Sequence, residues 1–141
     1  MRTQGAALRE GIANAIGSLV EPVGDLAPAR LSGDEFMTAL REVENLSRLV
    51  DATRTALAGE AANRAAGPID TLGALGYTNA VDAVAILTSA SDRESKQRIR
   101  LGTSLNAGSS LTGAETGSAH PHVADSMRAG NLGPEAALII V

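Results

Sequence analysis

The segment from Ser32 to Ala66 is bracketed by two local signals that most constrain the fold of this chain. Ser32 and Glu35 form an S-x-x-E capping box, which satisfies orphan amide groups at a helix start, and Leu31 stands in front of it as a staple. Gly67-Pro68 stops the run. Between them Phe36, Leu40, Val43, Ser47, Val50, Arg54, Leu57 and Ala61 step by four and three, with Leu46 and Leu49 widening the stripe. That spacing predicts one helix over about 33–66, heptad-like with two polar gaps. At 1.5 Å per residue it is a rod of roughly 51 Å. A small domain seldom buries such a rod along its whole length. The helix is expected to pack in an antiparallel hairpin, as a core helix, or to pair with a second chain as a homo-oligomer seam.

Composition narrows the rest. The 141 residues, enough for one domain, include two aromatics, Phe36 and Tyr77, against 26 Ala and 16 Leu. Few aromatic and β-branched residues argue against a β-rich fold. The absence of cysteine removes disulfides, thiol catalysis and thiolate-bound zinc. No apolar run approaches the ~20 residues of a membrane helix, and Glu10, Asn14 and Gly17 interrupt any N-terminal signal-like stretch. A cytoplasmic protein with no membrane partner is expected. The fold class expected is all-α: the long helix, then a bundle of shorter helices with a helix-turn-helix-like C-terminal part.

Residues 1–30 read as a leader. Leu8, Ile12, Ile16 and Leu19/Val20 have weak helical spacing, interrupted by Gly11 and Gly17, and 21–31 reads as a linker with two prolines. Beyond the long helix, 67–78 is rich in turn residues. A helix is predicted from about Asn79 to Thr88. Ser91 and Glu94 form a second capping box, opening a helix that runs to about Asn106. Residues 106–119 read as a Gly/Ser/Thr loop. His120-Pro121 starts a helix ended by Gly130, and Gly133-Pro134-Glu135 opens the last one. The apolar run Ala136-Ala137-Leu138-Ile139-Ile140-Val141 has no cap. It leads to the expectation that 31–141 is truncated at its C-terminus and that the run leaves an apolar patch exposed.

The chemistry-bearing segment is Asp92-Arg93-Glu94-Ser95-Lys96-Gln97-Arg98-Ile99-Arg100, four basic against two acidic residues. On a helix Arg93, Lys96 and Arg100 share one face at i, i+3 and i+7, a ridge able to displace counterions from phosphates. The competing reading is a solvated face with internal Glu/Arg pairs. His120 and His122, two apart around a proline, lack metal-ligand spacing and read as capping or surface residues. Gly113-Ala114-Glu115-Thr116-Gly117 lacks the lysine and preceding strand of a phosphate loop. Asp34/Glu35 and Glu42/Glu44 read as solubilising carboxylates. No catalytic site and no cofactor are expected within these residues.

Taken in order, these pieces resemble a known family: Leu31-Ser-Gly-Asp-Glu-Phe36 opening the long helix, the Gly76-Tyr77 turn, Ser91 through Gly102, Ser110-Leu-Thr-Gly-Ala-Glu115, and His120 through Ala137. The set is similar to domain of unknown function 222, the actinobacterial 13E12-repeat family, usually the N-terminal part of HNH endonuclease-type proteins. The resemblance covers about four fifths of the chain. It implies an accessory domain assisting DNA binding, with a nuclease module in a separate downstream segment, so no nuclease residue carries over. Residues 91–138 also resemble the helix-turn-helix region of ParB-type partition proteins, in which the basic helix lies against DNA. That likeness implies nucleic-acid contacts from Arg93, Lys96, Gln97 and Arg100, and Arg98 joins them as a candidate from the same 92–100 segment. The alternative is a helical interaction or oligomerisation module with no nucleic-acid role.

Overall fold

In a computed structural model, which describes residues 1–109 and 115–141, the chain is all-α. It forms two units, Met1–Leu40 and Arg41–Val141, and α2 (Gly33–Ala66) contributes its first turns to one and its remainder to the other.

The first unit is built on α1 (Gln4–Gly24), which starts where the Thr3 hydroxyl accepts the Ala6 N–H at 3.1 Å. None of its residues is buried. The helix continues through Glu21–Gly24, where a linker was expected, with Pro22 inside it. A proline so near the C-terminus removes one ladder hydrogen bond but leaves little helix beyond it to break. The linker is accordingly shorter, and Pro28–Arg30 forms a 3-10 turn within it. At the start of α2 the capping box is complete: the Ser32 N–H donates to Glu35 Oε2 at 2.8 Å and the Glu35 N–H to Ser32 Oγ at 3.2 Å.

The second unit is organised around α5 (Asp92–Leu105). Leu101 and Leu105 of this helix join Ala124 and Met127 of α6 (Pro121–Arg128) and Ala137 of α7 (Pro134–Ile140) in the core. The C-terminal half of α2 lies against α5 with Thr55, Ala58 and Gly59 buried. Small residues at Gly59 and Gly102 let the two backbones touch, and the Asn106 amide donates to the Ala56 carbonyl at 2.9 Å across the same contact. On another side α4 (Ala80–Thr88) buries Ala83 and Val84 and packs on α5. A short α3 (Thr71–Ala74) lies in the connection between α2 and α4.

The segment read as a loop after α5 contains a two-residue antiparallel ladder, β1 (Gly108–Ser109) with β2 (Glu115–Thr116), in which Gly108 faces Thr116. Residues 110–114, which include most of the quoted Ser110–Glu115 motif and part of Gly113–Gly117, lie outside the described residues. Gly130 closes α6 at φ +76°, and the Asn131 N–H reaches back to the Ser126 carbonyl at 2.9 Å. This is the six-to-one bond of a Schellman stop. In the last helix Ile139 and Ile140 are exposed, while Leu138 and Val141 pack partly against the core. No helix among the described residues is long and apolar enough to cross a membrane.

Candidate nucleic-acid interface

The basic segment is held by a two-helix joint. Asn79 caps α4 by accepting the Asp82 N–H at 2.9 Å, and Asp82 accepts the Thr78 N–H at 2.9 Å. At the other end α4 stops on Ser89, the one non-glycine residue at positive φ (55°) among the described residues. Ser89-Ala90-Ser91 then turns the chain directly into α5, a connection of the length that joins the two helices of helix-turn-helix motifs. The sequence reading placed the helix-turn-helix likeness over 91–138, a span that begins with α5. The structure has α5 as the second helix of a joint that begins with α4.

Ser91 caps α5, its hydroxyl accepting the Glu94 N–H at 3.1 Å. The second capping box is only half formed. Glu94 turns its carboxylate toward Arg98, one turn on, instead of back to the Ser91 amide. An i,i+4 pair with Glu on the N-terminal side has favourable orientation on a helix, and here it outcompetes the box.

This pairing divides the basic residues. Arg98 is bound to Glu94, only 17% of its side chain is exposed, and it lines a cavity of about 280 Å³ between α2, α5 and α7. Asp51 and Arg54, themselves an ion pair at 3.2 Å, line the same cavity with Leu101 and Leu138. Arg93, Lys96, Gln97 and Arg100 are all exposed, and Gln97 also lines the cavity beside Arg98. At 100° per residue they fall within about 100° of helix arc. Among the described residues six basic side chains have carboxylate partners: Arg2, Arg48, Arg54, Arg64, Arg98 and Arg128. Of the remaining six, Arg93, Lys96 and Arg100 share this one face. The structure thus gathers Arg93, Lys96 and Arg100 on one exposed face, pairs Arg98 with Glu94, and has Gln97 between them at the edge of the Arg98 cavity.

Other candidates lie elsewhere. His120 occupies the cap position of α6 without a side-chain capping bond; its own N–H is held by Ser118 Oγ at 3.1 Å. Among the described residues no group of three or more His, Asp or Glu is arranged to hold a metal ion. Asp34, Glu35, Glu42 and Glu44 are all exposed. Glu35 is held below the usual carboxylate range, first by the Ser32 backbone N–H and then by the Ser32 hydroxyl. Glu60 is also lowered, chiefly by its bond to Arg64, with burial opposing. Both shifts belong to helix caps and helix-surface pairs. Comparison with known protein families, curated proteins and solved structures finds no match to this chain.

Proposed function

We propose that this chain is a DNA-binding accessory domain that lays the outer face of α5 against the duplex, as the N-terminal part of an HNH endonuclease-type protein of the kind its sequence resembles. One observation carries the reading. Arg93, Lys96 and Arg100 have no carboxylate partner among the described residues and crowd one exposed face of a helix whose other face is core. Unpaired cations in a row are what a phosphate backbone recruits. The short Ser89–Ser91 joint adds support, because the second helix of such a joint is the one that enters the major groove. In this reading Arg93, Lys96 and Arg100 bind phosphates, and Gln97, exposed beside them, faces base edges. Asp92 and Glu94 lie in the first turn. The Arg98 pair neutralises Glu94, which leaves Asp92 as the opposing charge.

The test is fluorescence anisotropy with a labelled duplex over a salt series, on the parent and on the triple variant Arg93→Glu, Lys96→Glu, Arg100→Glu. The parent is expected to show a log–log salt slope of about −3, near 0.9 per neutralised phosphate, and the triple variant to lose retention. Equal binding by the two proteins overturns the assignment.

A second reading is favoured by the bare apolar side chains of α2. Phe36, Leu40, Val43, Val50 and Leu57 are all exposed, as an oligomerisation module without a nucleic-acid role would require. Sedimentation of the parent and of Val43→Lys tests it. A substitution that leaves the association constant unchanged removes α2 as the seam.

A further inference from the structure

Helix α1 has 21 residues, about 32 Å at 1.5 Å per residue, and buries none of them. Its apolar side chains Leu8, Ile12, Ile16, Leu19, Val20 and Val23 each leave between 39% and 65% of their surface bare. They fall within about 120° of arc at 100° per residue. Most of the stability of a helix in a folded protein comes from packing an apolar face, and no residue of this face is fully buried.

The order of side chains along the helix identifies the partner. Reading outward from Asn14, Ala13 and Ala15, Ile12 and Ile16, Gly11 and Gly17, and Leu8 and Val20 correspond, while Glu10 stands against Ser18 and Arg9, within the same arc, against Leu19. A two-fold axis at the level of Asn14 would set Leu8 of one helix opposite Val20 of an antiparallel copy, and Ile12 opposite Ile16. An isologous interface has this requirement, that residue i meets j while j meets i. A different partner would impose no such symmetry. Gly11 and Gly17 flank the apolar strip on its two sides, and neither has another atom within 4 Å of where a Cβ would stand. The margins of the strip are therefore open to a close neighbour. The six side chains offer on the order of 500 Å² a side, near the ~1,000 Å² total that separates specific association from incidental contact.

We infer that α1 is a self-association helix, pairing antiparallel with α1 of a second copy of this chain through Leu8, Ile12, Ile16 and Val20. The inference is independent of the DNA-binding reading and of any seam on α2.

Because the chain has no cysteine, the register can be tested by introduced thiols. Full-length Leu8→Cys and Val20→Cys proteins are oxidised separately and as a mixture. The mixture is expected to give the 8-to-20 disulfide dimer. Neither protein alone should form one efficiently, since the two copies of position 8 stand about 18 Å apart, twelve residues at 1.5 Å. Efficient Leu8→Cys self-cross-linking would show a parallel pair and overturn the inference, as would absence of any cross-link in the mixture. Sedimentation of Ile12→Lys/Ile16→Lys supplies the second arm. A parent that dimerises with rising concentration and a variant that stays monomeric support the pairing, with circular dichroism confirming that the variant keeps its other helices. A monomeric parent, or a variant that dimerises as the parent does, refutes it.

Discussion

Gly102 of α5 rests against Gly59 of α2 so closely that neither position has room for a methyl group. A Cβ added to Gly102 would stand 2.7 Å from the Gly59 amide nitrogen and 2.8 Å from its Cα. Both obstacles are backbone, which cannot rotate away as a side chain can. Gly102→Ala or Gly59→Ala therefore has to separate the two helices. Each is expected to lower stability by about 1–3 kcal/mol, the usual range for overpacking, although alanine is the better helix former at an open site. Urea unfolding followed at 222 nm checks it. Unchanged or raised midpoints would mean that the helices do not cross here.

Ser95 offers the opposite test. It is fully buried, and its hydroxyl has no hydrogen-bond partner among the described residues. Removing a buried polar atom that makes no bond relieves a desolvation penalty. Ser95→Ala is expected to be neutral or to raise stability by up to ~1 kcal/mol in the same assay. A clear loss would show that the hydroxyl is bonded in solution.

Arg93 and Arg98 carry the same charge but should fail differently. Arg98→Gln leaves Glu94 without its partner and is expected to lower stability by roughly 0.5–1 kcal/mol, near the upper end for a surface ion pair. The salt dependence of DNA retention should be unaltered. Arg93→Gln is expected to leave stability unaltered and reduce the salt slope by about one. Paired melting and salt-titration measurements separate the two. If Arg98→Gln reduces the slope as much as Arg93→Gln, the division of the helix into two faces is wrong.

The first turn of α2 should respond to acid. The Glu35 carboxyl is held below its usual value because its charged form accepts the Ser32 N–H. A depressed folded-state pKa stabilises the folded turn at pH above the usual glutamate value, near 4.5. That contribution disappears as pH falls through the lower folded-state value. The Ser32 amide resonance is expected to shift in that acid window in the parent and to stay constant there in Glu35→Gln. An identical acid shift in both proteins would place its origin in another group.

Much of the helical layout could be read from local signals. The box at Ser32 and Glu35, the Ser91 cap of α5 and the Gly-Pro stop at 67–68 depend on residues a few positions apart, and these elements begin and end where expected. What escaped depends on residues far apart in sequence. Gly59 and Gly102 each look like a weak point inside a helix, and only the crossing of α2 and α5 gives them a purpose. The i,i+4 pull of Arg98 on Glu94 was visible, but a capping box looked equally available. Its outcome takes Arg98 out of the set of unpaired cations that Arg93, Lys96 and Arg100 form. Ser89 carries no residue-type signal for its left-handed backbone, so the joint that makes α5 a second helix was not seen. Pro22 looked like a terminator, because a proline signals a break more strongly than its distance from a helix end suggests.

The outer face of α5 is the reverse side of the helix that bears Leu101 and Leu105. Its backbone is therefore already immobilised by the core, and a ligand meeting Arg93, Lys96 and Arg100 has only side-chain rotamers to order. Mutational drift along that face is also cheap, since exchanging an exposed residue there leaves the core contacts on the other face intact. Within this fold, the same helix can carry new surface specificities while its interior remains unchanged.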